Sequence, residues 1–279
     1  NLQSSNISLF RKLGSGITAL FGLSTARSLK GEGSVYKHFD YPIYKNGKIK
    51  KRVNEIPESI EVAVIGSGSG GGIAANVLSE KYQVGIFEKG SYPNGETNNE
   101  TFGYHNFYET FAIQQTRGYK VLLLAGKGVG GGTSINWTTS LRTPDNILSE
   151  WDSLTGQKNY FNSSEFKNSM DYVCNQLNVS EANNTIPQKE VKLAEGLKLN
   201  NVNYKIIPRN TSNDQCLENG FSTFGHSDES INSSYKVWFA EDKFDSKNIF
   251  SNTSIKSLTI SNGKATHINV EKDGNVQQI

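Results

Sequence analysis

Val62-Ala63-Val64-Ile65-Gly66-Ser67-Gly68-Ser69-Gly70-Gly71-Gly72 is the stretch on which the fold turns. The four apolar residues form a short buried-strand run, the glycines interrupt it, and Ile73 to Glu80 then takes up a helix-like pattern. Gln83-Val84-Gly85-Ile86-Phe87 predicts a second strand, ending at Glu88. Strand, helix and strand together span 28 residues from Glu61 to Glu88, the size that a right-handed parallel crossover needs. The expected class is therefore α/β, a Rossmann-like dinucleotide-binding domain with a parallel sheet. Later strands, joined at Asn262-Gly263, add a hairpin or meander to it.

The loop fits G-x-G-x-x-G at Gly66, Gly68 and Gly71. The first glycine permits the tight turn out of the strand, the second lets a pyrophosphate approach the backbone, and the third lets helix and strand pack closely. The start of the helix then presents free N–H groups and a partial positive charge to that pyrophosphate. Glu88 lies 20 residues beyond Gly68. An acid at the end of the second strand is placed to accept ribose hydroxyls and to disfavour a 2′-phosphate, which argues against NADP.

The rest of the chain is consistent with one large α/β domain or two smaller ones, since 279 residues bury an ordinary core. With 29 basic against 27 acidic residues, the formal charge of +2 gives no reason to expect nucleic acid as a partner. Cys174 and Cys216 lack metal-ligand spacing and read as structural thiols, so no metal is expected. No run reaches the roughly 18 apolar residues that span a bilayer, and Ile17 to Leu23 is broken by Thr18 and Gly22. Residues 1–59 read as an N-terminal extension and 60–279 as the nucleotide-binding domain. Within the extension, Leu9, Leu13, Ile17 and Leu20 share a helical face beside Arg11 and Lys12. Packing on the main domain and peripheral membrane contact both fit that pattern. The basic run Lys48 to Arg52 reads as a solvated linker. Further helices are expected near Phe107–Gln115 and over 164–178 and 189–200, with strands over 202–207, 253–260 and 265–270.

A second cluster follows the apolar run Val121 to Ala125. Gly126-Lys127-Gly128-Val129-Gly130-Gly131-Gly132 places five glycines in seven positions, a backbone with little side-chain bulk, suited to contact with a flat ring or a second stretch of cofactor. An NAD-dependent dehydrogenase is allowed by the first loop but leaves this second one unexplained. A larger cofactor such as FAD accounts for both, and a hinge is the bland alternative.

Here the sequence resembles the glucose-methanol-choline (GMC) oxidoreductases, flavoenzymes that oxidise alcohols, and within them the long-chain (fatty) alcohol oxidases. The resemblance rests on Val64 to Gly72, on Glu88-Lys89-Gly90 and on Gly130-Gly131-Gly132-Thr133-Ser134-Ile135-Asn136-Trp137. Leu141-Arg142-Thr143-Pro144, Glu150-Trp151 and Glu195 to Leu199 extend it, and Ser234, Trp238 and Phe239 continue it. It implies FAD, with the ADP half on Gly66, Gly68, Ser69, Gly70, Gly71 and Glu88. The flavin half would lie near Gly130, Gly131 and Gly132, with Thr133, Ser134 and Asn136 offering polar groups, and strands near Ile255 would enclose the adenine. A small-molecule alcohol is the implied substrate. Membrane association is suggested by the resemblance alone.

One stretch departs from that pattern. Fatty alcohol oxidases carry a C-G-x-C-x-x-G-C segment, and Asn219-Gly220-Phe221-Ser222-Thr223-Phe224-Gly225-His226 keeps both glycines and none of the cysteines. Alcohol oxidation also needs a base, in this family a histidine with a His or Asn partner in a C-terminal segment. None of His38, His105, His226 and His267 lies in such a motif. The expectation is a chain that supplies the FAD-binding part and is incomplete at its C-terminal, catalytic side, with no catalytic residue assigned. A non-catalytic flavin-binding homologue is the alternative.

Overall fold

The computed structural model describes residues 43–45, 48–50, 55–92, 105–181, 186–211, 231–239 and 248–279. Its centre is a parallel sheet of β3 (Val62–Ile65), β4 (Val84–Phe87) and β7 (Ile249–Phe250) in that order. Strands β3 and β4 pair in parallel from Val62↔Val84 to Ile65↔Phe87. The crossover between them is α1 (Ser69–Leu78). All four residues of β4 are buried, as expected of a strand with neighbours on both edges and cover on both faces. One core cluster joins Val64, Ala75, Val84, Ile86, Val129, Trp238 and Ile249.

A second sheet consists of β8 (Thr253–Ser261), β9 (Lys264–Lys272) and β10 (Asn275–Gln278), all antiparallel. Its turn is made by Asn262 and Gly263 at φ 51° and 76°, the conformation of a two-residue hairpin turn. Ile268 and Val270 of β9 pack on Phe87 and Phe250, whose rings stack with centroids 5.0 Å apart. Helices α2 (Asp145–Thr155), α3 (Ser164–Gln176) and α4 (Gln188–Leu199) follow the expected positions where these were assigned. A short α5 (Ser234–Trp238) packs on α1.

Three expectations are corrected. The helix expected near Phe107–Gln115 ends at Phe107, and a 3₁₀ turn, Glu109–Ala112, follows, then β5 (Gln114–Gln115), which pairs with β6 (Leu122–Leu123). Thr110, Phe111 and Ala112 adopt left-handed φ of 48°, 55° and 60°, incompatible with a right-handed helix. Tyr108 instead pairs with Gly126. Residues 202–207 form no strand, and the side chains of Val202, Tyr204 and Ile206 all stay exposed, so their alternation has no buried face to serve. Lys48–Lys50 is not linker but β2, antiparallel to β1 (Ile43–Lys45). The intervening Asn46-Gly47 is the pair that favours a hairpin turn.

Candidate functional site

The first glycine loop leaves β3 at Gly66, which has φ +87° and donates its N–H to Phe87 O at 2.9 Å. A Cβ on Gly71 would stand 1.9 Å from Gly66 O, and one on Gly72 1.9 Å from Ser234 Oγ and 2.9 Å from Trp238 Cε3. These three glycines are thus demanded by the fold itself. Gly68 and Gly70 are not: an added Cβ at either meets nothing among the described residues within 4 Å, and Gly68 has an ordinary φ of −64°. Ser69 between them is exposed. All three sit at the start of α1, which has no side-chain cap and no acid in its first turn. Unpaired N–H groups and the positive end of the helix dipole are therefore left facing outward.

In the second loop the balance is reversed. Gly128, Gly130 and Gly131 have φ of +144°, +93° and +56°, and their missing side chains make room for Phe107, for Ser134 with Tyr235, and for Gly68. A Cβ on Gly131 would lie 2.8 Å from Gly68 Cα, and one on Gly126 2.7 Å from Gly132 Cα. Of this cluster only Gly132 faces open space. The 3₁₀ turn Gly131–Ser134 carries two hydroxyls. Thr133 donates to Gly130 O, and Ser134, buried, donates to Val129 O at 3.0 Å. Both donors thus serve the loop's own carbonyls. Asn136 is exposed, and its Oδ1 accepts from Thr138 N at 3.0 Å.

Two buried serines and the acid knit the loops together. Glu88 is 5% exposed. Its Oε2 accepts from Ser67 N at 3.0 Å and Ser67 Oγ at 2.7 Å, and its Oε1 from Gly90 N at 2.9 Å and Gly128 N at 3.3 Å. Ser67 Oγ in turn accepts from Gly130 N at 3.0 Å. Glu88 thus stands at the end of β4 as expected, with its carboxylate directed at both loops. On the opposite side Ser234 Oγ reaches Ser67 O at 3.1 Å, and Ser234 N donates to Thr133 Oγ1 at 2.9 Å. Neither serine stood out as a site residue from sequence. Ser67 occupies a free position of the glycine motif, and Ser234 lies far along the chain. A hydroxyl residue between Gly66 and Gly68 was the available signal for the first.

Immediately beyond Trp137, Thr138 is fully buried at φ +62° and accepts from Arg209 Nε at 2.6 Å. Arg209, itself buried, pairs through its backbone with Thr139 and Ser180. Ile255 pairs with Val270, and Thr253 N at the start of β8 donates to Glu88 O at 2.8 Å, so the second sheet begins beside the acid. His105 is half-buried with its ring 4.9 Å from that of Phe111, and His267 is exposed beside Thr266. His38, His226, Cys216, the segment 219–226 and the amphipathic residues Leu9 to Leu20 lie outside the described residues. Among the described residues, no group of acids, histidines and cysteines is arranged to hold a metal, and no helix is long and apolar enough to cross a membrane.

The family model described as GMC oxidoreductase matches residues 49–279. Among curated proteins, the chain is 32% identical over 184 residues to long-chain-alcohol oxidase FAO4B of Arabidopsis thaliana, covering 65% of this chain and 24% of that protein. It is 34% identical over 155 residues to long-chain-alcohol oxidase FAO3 of the same plant, covering 54% and 21%. The chain thus spans a quarter or less of the length of these relatives. Among solved structures, pyridoxine 4-oxidase from Mesorbium loti aligns with 79% of this chain and 48% of its own, at a TM-score of 0.45 and 14% identity.

Proposed function

Because the chain belongs to the GMC oxidoreductase family, we propose that it binds FAD and supplies the flavin-binding part of a protein that oxidises the CH–OH group of an alcohol. One observation carries the FAD half. Gly68 and Gly70 are glycines that the fold does not require. They flank the uncapped start of α1, so close approach of an outside group is the remaining reason for them.

The residues present fit such a group. The first-turn N–H groups of Ser69, Gly70 and Gly71 offer donors to a pyrophosphate without an acid to repel it. The second loop touches the first at Gly131 against Gly68, and its exposed members, Gly132 and Asn136, are those left to meet the rest of a long cofactor. When bound, the flavin supplies at N5 the acceptor for the hydride that leaves the alcohol carbon. The chain's own contribution is to bind and orient it. A long aliphatic alcohol is the favoured substrate class, from the names that the relatives carry.

The test of binding is purification of the full chain, loading with FAD, and release of the yellow chromophore on denaturation. Protein that is folded by circular dichroism yet stays colourless after loading refutes the flavin reading. For the substrate, the complete protein is assayed with primary alcohols of increasing chain length, and rates that do not rise with chain length overturn the long-chain assignment.

A further inference from the structure

The first glycine loop is held to the second by side chains rather than by backbone pairing. Gly128 N and Gly130 N are the two amides of the second loop that point toward the first. Gly128 N donates to Glu88 Oε1 and Gly130 N to Ser67 Oγ. Val129 N, between them, turns away to Ser91 O at 2.9 Å. Glu88 and Ser67 are joined by two further bonds, from Ser67 N and Ser67 Oγ to Oε2. An ionised carboxylate offers about four acceptor sites, and the four donors around Glu88 take them up. The packing demands the same closeness, since Gly131 has no room for a Cβ beside Gly68, nor Gly90 beside Gly128.

We infer that Glu88 and Ser67 form a clasp that sets the spacing of the two glycine loops. Glu88 is then a positioning residue, acting through the two loops that its carboxylate ties together. The clasp consists entirely of protein groups. Charge makes Glu88 effective here, because hydrogen bonds to an ionised acceptor are stronger than neutral ones. Burial makes it necessary, because two loop amides would otherwise be left without partners.

Amide hydrogen exchange on the full chain, without FAD, reads the clasp residue by residue. In Glu88→Gln the amide nitrogen must face N–H donors on one side or the other, and exchange is expected to rise at least tenfold at Gly128 or at Ser67. In Ser67→Ala the carboxylate keeps its contacts with Ser67 N, Gly90 N and Gly128 N, and the expected tenfold rise falls on Gly130. Val129 and the β4 amides, whose partners lie elsewhere, keep their rates in both. Should Glu88→Gln fail to fold, the milder Ser67→Ala decides by itself. Unchanged exchange at Gly130 in Ser67→Ala overturns the proposal, as does a rise that is equal at Val129 and in β4. Since no flavin is present, these outcomes stand apart from failure to bind FAD.

Discussion

The two glycine loops look alike in sequence and differ in what their glycines are for. In the first, Gly66, Gly71 and Gly72 answer to the fold while Gly68 and Gly70 answer to nothing among the described residues. In the second, Gly126, Gly128, Gly130 and Gly131 are all consumed by tight internal contact or positive φ, and only Gly132 is open. Glycine richness alone is therefore a poor guide to a ligand. The informative glycine is the one that could be alanine as far as the protein is concerned.

Substitutions can break or sharpen that contrast. Gly71→Ala drives a Cβ into Gly66 O, and an expected loss of about 3 kcal/mol or more should appear as a lower midpoint in urea unfolding. Gly131→Ala combines a left-handed alanine with a clash at Gly68 Cα. It is expected to cost about 2 kcal/mol in the same assay and to weaken FAD binding with it. Ser234→Ala removes the hydroxyl that reaches Ser67 O and Gly68 O, for an expected loss of about 1.5 kcal/mol. Gly70→Ala is the opposite case, with stability held or raised by about 0.5 kcal/mol while FAD titration shows at least tenfold weaker binding. If Gly70→Ala leaves FAD affinity intact, the distinction between the loops loses its functional meaning.

Much of this was legible beforehand, in a particular way. The β3, α1, β4 unit follows from local pattern because its elements are adjacent in sequence and its glycines obey a steric rule. The hairpin at Asn262-Gly263 is legible for the same reason. Family membership was legible from the paired loops. What stayed hidden depends on distant partners. Nothing near Ser234 announces that it supports Ser67, and nothing near Gly130 says that its lost side chain makes way for Tyr235. The reading of the second loop as bare backbone suited to a flat ring or a second stretch of cofactor did not include its contact with the first loop. The misassigned helix at 107–115 failed likewise, since Tyr108 pairs with Gly126 rather than along its own segment.

The bonds made by Ser67 also carry a timetable. They close over separations of 21 residues to Glu88, 63 to Gly130 and 167 to Ser234. Each doubling of a loop adds about 0.6 kcal/mol to the entropy of closing it, and long-range contacts form late in folding as a rule. The glycine-loop end of the domain is thus expected to be assembled in three acts around a single hydroxyl-bearing residue, with its last support arriving from the far part of the chain. Pulsed hydrogen exchange during refolding would date each act, with Ser67 N protected first, Gly130 N next and last Ser234 N, whose bond to Thr133 Oγ1 reports the docking of Ser234.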